Sequence, residues 1–167
     1  MIAPDYVEPV VAWRAWYAVD GGLSTSLSSI VHRATWPRGE PLVAKCHRMR
    51  NVIWPFSRSK HEAPAVGCRC GIYAGRLETL RPYLPDYFVA DMAVPVIGRV
   101  LLWGVIHEHE LGWRASHAYP QSLYVPTLSK RSERMIRELR SYGVPVQAVS
   151  AVSAEEILDA VSTKLAA

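Results

Sequence analysis

Between residues 46 and 70 stand four side chains of the types that bind a soft divalent metal: Cys46, His61, Cys68 and Cys70. Thiolates and an imidazole are the donors zinc prefers, and four of them close a tetrahedral structural site. On a regular strand Cys68 and Cys70 would send their sulfurs to opposite faces. Gly67 and Gly71 flank the pair, and either permits the bulge or turn that brings both to one ion. Such a site would anchor the intervening loop at both ends. The spacing is not one of the strong zinc patterns, because there is no C-x-x-C and the gap from Cys46 to His61 is irregular. The competing reading makes Cys46 and one of the later pair buried small hydrophobes, with His61 a loop residue. The expected cofactor is therefore zinc or none.

A second group is His107-Glu108-His109-Glu110. On a strand His107 and His109 share one face, where they could hold a metal or exchange protons near neutral pH. A polar strand end entering a hairpin accounts for the same residues. A cysteine nucleophile would pair Cys68 or Cys70 with His61, His107 or His117. The chain has no P-loop, no G-x-G-x-x-G and no G-x-S-x-G elbow. No catalytic residue is assigned on this evidence.

Charge is distributed unevenly. The net charge is +4, yet residues 29–76 hold nine of the basic residues and only two acids, Glu40 and Glu62. That asymmetry points to an anionic partner or to a solvated basic loop. Its centre is the loop at 47–64, which has no period of either kind and combines Arg48, Arg50, Arg58 and Lys60 with Trp54 and Phe56. Cations there would contact phosphates, and the two rings would stack on unpaired bases or tuck the loop onto the body. Lys130, Arg134 and Arg137 fall along one helical stripe, partly neutralised by Glu133 and Glu138. Six tryptophans could line an aromatic pocket, although strands and cores favour such rings in any case.

The elements that must position these residues read as follows. Val10 to Val19 is a strand, with Val11, Trp13, Ala15, Tyr17 and Val19 on one face and Arg14 opposite. Ser24 to Ser29 is an extended or edge segment, and Pro41 to Cys46 a short strand. Ala74 to Leu84 has helical spacing and stops at Pro85. Gly98 to Glu108 is the clearest strand. It is followed by a hairpin loop at His109 to Gly112, a return strand Trp113 to Tyr119, and one more at Gln121 to Val125. Leu128, Met135, Ile136, Leu139 and Tyr142 make an apolar helical face ending at Gly143. Val144 to Val149 is a strand, and Ser153-Ala154-Glu155-Glu156 a capping box opening a helix through Leu158, Val161 and Leu165. The expected fold is α+β: a mostly antiparallel, barrel-like β body over 1–125 and an α-β-α tail over 126–167, in one domain spanning 1–167.

His61-Glu62-Ala63-Pro64 with Cys68-Arg69-Cys70-Gly71-Ile72-Tyr73-Ala74 resembles a block in small uncharacterised proteins of high-GC actinobacteria and their mobile elements. Gly98-Arg99-Val100-Leu101-Leu102-Trp103-Gly104, then Gly112-Trp113-Arg114-Ala115 and Ala118-Tyr119-Pro120, is similar to a second block in the same proteins. The resemblance covers about the middle third to half of the chain. It implies a shared fold and a shared site near Cys68 and Cys70, and it supplies no activity.

Composition narrows the rest. Half of the 167 residues are hydrophobic and a fifth charged, which is ordinary globular usage. The longest apolar stretch, Val94 to Ile106, is broken by Pro95, Gly98 and Arg99, so no membrane span is expected. Three cysteines do not make a disulfide framework, and a cytoplasmic location is expected. The leading expectation is a non-enzymatic binding module whose basic, aromatic-containing loop engages nucleic acid or an acidic protein surface. A phage or mobile-element assembly protein stands second, and a small metal- or Cys/His-dependent hydrolase third. Oligomeric state is left open.

Overall fold

A computed structural model of the chain describes residues 8–46, 61–88 and 92–166. Among the described residues seven strands form one mixed sheet: β1 (Val10–Asp20), β2 (Thr25–Ser29), β3 (Leu42–Val43), β4 (Ile72–Gly75), β5 (Ala93–His109), β6 (Gly112–Pro126) and β7 (Val146–Val149). Every pairing is antiparallel except β6 with β7. Four strands close a ring, β1 to β5 to β6 to β4 and back to β1, the last contact made by Trp13 opposite Gly75. The expected strand-rich α+β body with a barrel-like closure is thus present. The tail adds α1 (Lys130–Leu139), β7 and α2 (Ala154–Ala166) in the expected order.

Both faces of β1 are used. Ala12, Trp16 and Ala18 point into one core, which α1 covers with Met135, Ile136 and Leu139. Ala15, with Trp13 against it, faces a second core built from Ile97, Tyr124, Leu80, Leu84 and the α2 residues Ile157 and Val161. The two tail helices therefore pack on opposite sides of the sheet, each burying a stripe at helical spacing. α2 buries Ile157 and the expected Val161, with the expected Leu158 packed beside them, while Leu165, the expected end of the run, is half exposed.

The α1 layer is tied down by tyrosine hydroxyls. Tyr142 Oη accepts from Leu27 N at 2.9 Å and donates to the Trp36 carbonyl at 2.8 Å. Tyr119 Oη donates to the Tyr142 carbonyl at 2.8 Å. Trp16 and Trp36 meet edge to face with centroids 5.4 Å apart, and both rings are buried in the core. At the far end of β1, buried Asp20 receives the guanidinium groups of Arg131 and Arg134 from α1.

Element limits differ from the sequence reading at proline positions. β5 begins at Ala93 instead of Gly98, because Pro95 stands beyond the last β6 partner of β5, Ile97, where the strand has β1 on one side only. The two expected return strands are one, β6. Its ladder passes Pro120 through a register shift in which Gln121 is the extra residue between Pro120 opposite Val100 and Ser122 opposite Arg99. The expected helix from Ala74 is a 3-10 helix over Leu77–Tyr83, since Ala74 and Gly75 are taken by β4 and Pro82 interrupts α-helical bonding. Among the described residues no helix is long and apolar enough to cross a membrane.

Candidate metal centre

Strand β6 is the common base of the Cys/His cluster. β3 lies against its middle, Leu42 opposite Ala118 and Val43 opposite His117, and Ala44 N donates to the Ser116 carbonyl at 2.8 Å. The chain leaves that ladder and reaches Cys46 a few residues on. β4 lies against the start of β6, Ile72 opposite Ala115 and Tyr73 opposite Arg114. Cys68 and Cys70 stand just before β4, so both limbs converge beside residues 112–118. The cysteine pair is not on a strand. A tight turn, with Cys68 N donating to the Ala65 carbonyl at 3.2 Å, precedes it and leaves both sulfurs on one side.

The four donor atoms of Cys46, His61, Cys68 and Cys70 all lie within 4.8 Å of one another. Cys46 Sγ is 3.7 Å from Cys68 Sγ, and Cys70 Sγ is 3.4 Å from His61 Nε2. In a tetrahedron with Zn–S bonds of about 2.3 Å and a Zn–N bond of about 2.0 Å, the donor–donor edges are about 3.5 to 3.8 Å. The two close pairs have that size. The cluster is close enough to hold a metal ion, and its donor set is the one zinc prefers.

A cation from β6 holds the Cys68–Cys70 segment in this shape. Arg114 Nη1 donates to the carbonyls of Cys68 and Cys70, the latter at 3.0 Å, and Nη2 donates to the Ala65 carbonyl at 3.2 Å. One planar guanidinium thereby satisfies three backbone acceptors that no ladder uses. Gly71 permits the approach: its φ is +129°, and a Cβ there would stand 3.1 Å from Pro64 Cβ and 3.2 Å from Arg114 Cβ.

The cysteines are half-buried. Burial pushes the Cys70 thiol up from its ordinary value; the Ala65 amide acts against this, and the neighbouring Cys68 and Cys46 thiols add to it. A bound cation would reverse that balance by displacing the protons.

Beside the cluster is an open cleft of about 470 Å³, lined among the described residues by Val43, Lys45, Cys46, His61, Glu62 and His117 with their neighbours. Its β6 residues, Ser116 and His117, stand beside a bulge in β5. Ser116 Oγ accepts from Val105 N at 2.9 Å and lies 2.8 Å from His117 Nδ1. The His117 ring stacks on Trp103 at 5.9 Å. Gly104, at φ +77°, leaves the space these two side chains fill.

The other expected sites fare differently. Arg48, Arg50, Trp54, Phe56, Arg58 and Lys60 lie outside the described residues. His107 and His109 are at the end of β5, opposite Arg114 and Gly112, with His109 against Tyr73 at 5.6 Å. Among the described residues they belong to no group of three or more donors close enough to hold a metal. On α1, Arg134 is engaged with Asp20 and Glu138, while Lys130 and Arg137 are exposed. No protein-family model, curated protein or solved structure matches the chain.

The sequence reading missed Arg114. It stood there as the second residue of the expected return strand, and nothing local separates that from an ordinary surface position.

Proposed function

We propose that the chain is a non-enzymatic binding module in which Cys46, His61, Cys68 and Cys70 hold a structural zinc ion. The observation that carries this is the convergence of four donor atoms to within 4.8 Å, drawn from two limbs separated in sequence and seated on one strand. A four-donor Cys/His set fills a tetrahedral ion and leaves no open position for substrate, which favours a structural over a catalytic role. The ion staples Cys46 to His61 and so fixes both ends of the segment 47–60. That segment carries Arg48, Arg50, Arg58 and Lys60 with no acid between them. Closing it on a metal lowers the entropy lost when it engages an anionic partner, nucleic acid or an acidic protein surface.

The test is titration of a fluorescent single-stranded oligonucleotide at several salt concentrations. Four phosphate contacts on a single strand give a slope of log K against log salt of about −3. Replacing Arg48, Arg50, Arg58 and Lys60 together by alanine abolishes this binding if the reading is right. Absent or salt-independent binding contradicts the nucleic-acid reading. A protein complex that survives nuclease treatment and is lost in the same variant assigns the segment to an acidic protein surface instead.

A further inference from the structure

We propose that Cys46 and Cys68 form an oxidation site at which hydrogen peroxide joins them in a disulfide, with Cys70 left out. Three thiols are present, and the geometry separates them. Cys46 Sγ lies 3.7 Å from Cys68 Sγ, at the contact distance of two sulfurs; Cys70 Sγ, within 4.8 Å of both and also interacting with Cys68, has His61 Nε2 at 3.4 Å to hold it. All three are half-buried, but the cleft distinguishes them. The cleft is lined by Cys46 and His61 and, among the described residues, not by Cys68 or Cys70. A small oxidant entering the cleft therefore meets Cys46 first.

The chemistry balances without another reagent. The Cys46 sulfur attacks one peroxide oxygen, the O–O bond breaks, and water leaves, giving a sulfenic acid at Cys46. The Cys68 sulfur then attacks the Cys46 sulfur; its proton and the sulfenic hydroxyl depart as a second water. Two thiols lose two electrons and two protons, and the peroxide becomes two waters. Closure needs the sulfurs to move from 3.7 Å to the bonded distance of about 2.05 Å, which a half-buried loop segment can supply. The disulfide removes two of the four donors. On the zinc reading above, which this consequence rests on, oxidation also releases the ion and frees one end of the basic segment 47–60 from its staple.

The sequence makes the pairing directly readable, because cleavage after lysine and arginine puts each cysteine in its own peptide: 46–48, 61–69 and 70–76. The reduced protein as purified is exposed to hydrogen peroxide in excess, alkylated, digested with trypsin without reductant and examined by mass spectrometry. The expected product is the 46–48 peptide joined to 61–69, with 70–76 recovered alkylated. A Cys70→Ser variant retains the cross-link and a Cys46→Ser variant loses it, circular dichroism confirming that each is folded. A cross-link that includes the 70–76 peptide overturns the proposal, as does oxidation of Cys46 to sulfinic acid with no cross-link. Metal content measured on the same sample keeps the two readings apart. The expected cross-link in protein that never held zinc leaves the oxidation site standing and removes the zinc centre. One zinc released per cross-link supports both.

Discussion

Arg114 Nη1 lies 3.0 Å from the carbonyl oxygen of Cys70, and the same guanidinium reaches Cys68 and Ala65. A side chain of β6 thereby fixes the backbone of the segment that carries two of the four donors. It touches no donor atom itself; it sets where those atoms stand. This is the role that hydrogen-bonding partners outside the ligand set play at metal sites generally.

Replacing Arg114 by methionine keeps the apolar stem and removes the three donors. The expected effect is a fall in zinc affinity of about 10- to 100-fold, the usual cost of losing such a partner. Competition with a chromophoric chelator measures it. An unchanged affinity would mean that the segment holds its shape without the guanidinium.

One hydroxyl of the tail makes two buried bonds to the body. Tyr142→Phe leaves the Leu27 amide and the Trp36 carbonyl without their buried partner. A loss of about 1 to 3 kcal/mol in unfolding free energy is expected. Urea denaturation gives the value directly, and a change under a few tenths would show that water replaces the hydroxyl.

Asp20 supplies a pH dependence. The Gly22 amide and the Arg131 and Arg134 guanidinium groups hold its carboxyl below the ordinary carboxylate range. A lowered folded value means that the group stabilises the fold above the unfolded value of about 3.9, and that this contribution is lost as pH falls through the folded value. The difference in urea midpoint between the wild type and Asp20→Asn is therefore expected to be largest near neutral pH and to shrink below about pH 4. A difference that stays constant into strong acid would contradict the assignment.

Much of the fold could be read from the chain because its signals are local. The alternation in β1, the hairpin at His109 to Gly112 and the apolar stripe of α1 each state their own element. What could not be read depends on partners distant in sequence. Pro95 and Pro120 look like strand breaks until the ladder shows a free side at one and an extra residue at the other. Ala74 to Leu84 has helical spacing, but pairing with β6 claims its first residues. The candidate site divides the same way. The residue types Cys46, His61, Cys68 and Cys70 and the need for glycines beside the pair were legible, as chemistry is carried by residue type. Arg114 and the cleft wall at Ser116 and His117 were not, since only the pairing of β3 and β4 with β6 brings them to the cluster. The segment with Trp54 and Phe56 was singled out for composition alone and lies outside the described residues.

The most direct test of the zinc centre is elemental analysis of the purified, untagged protein beside a Cys68→Ser variant. The account predicts about one zinc per chain in the wild type, and its loss or marked depletion in the variant. Wild-type protein that is folded, fully reduced and free of metal after purification in zinc-containing buffer would contradict it.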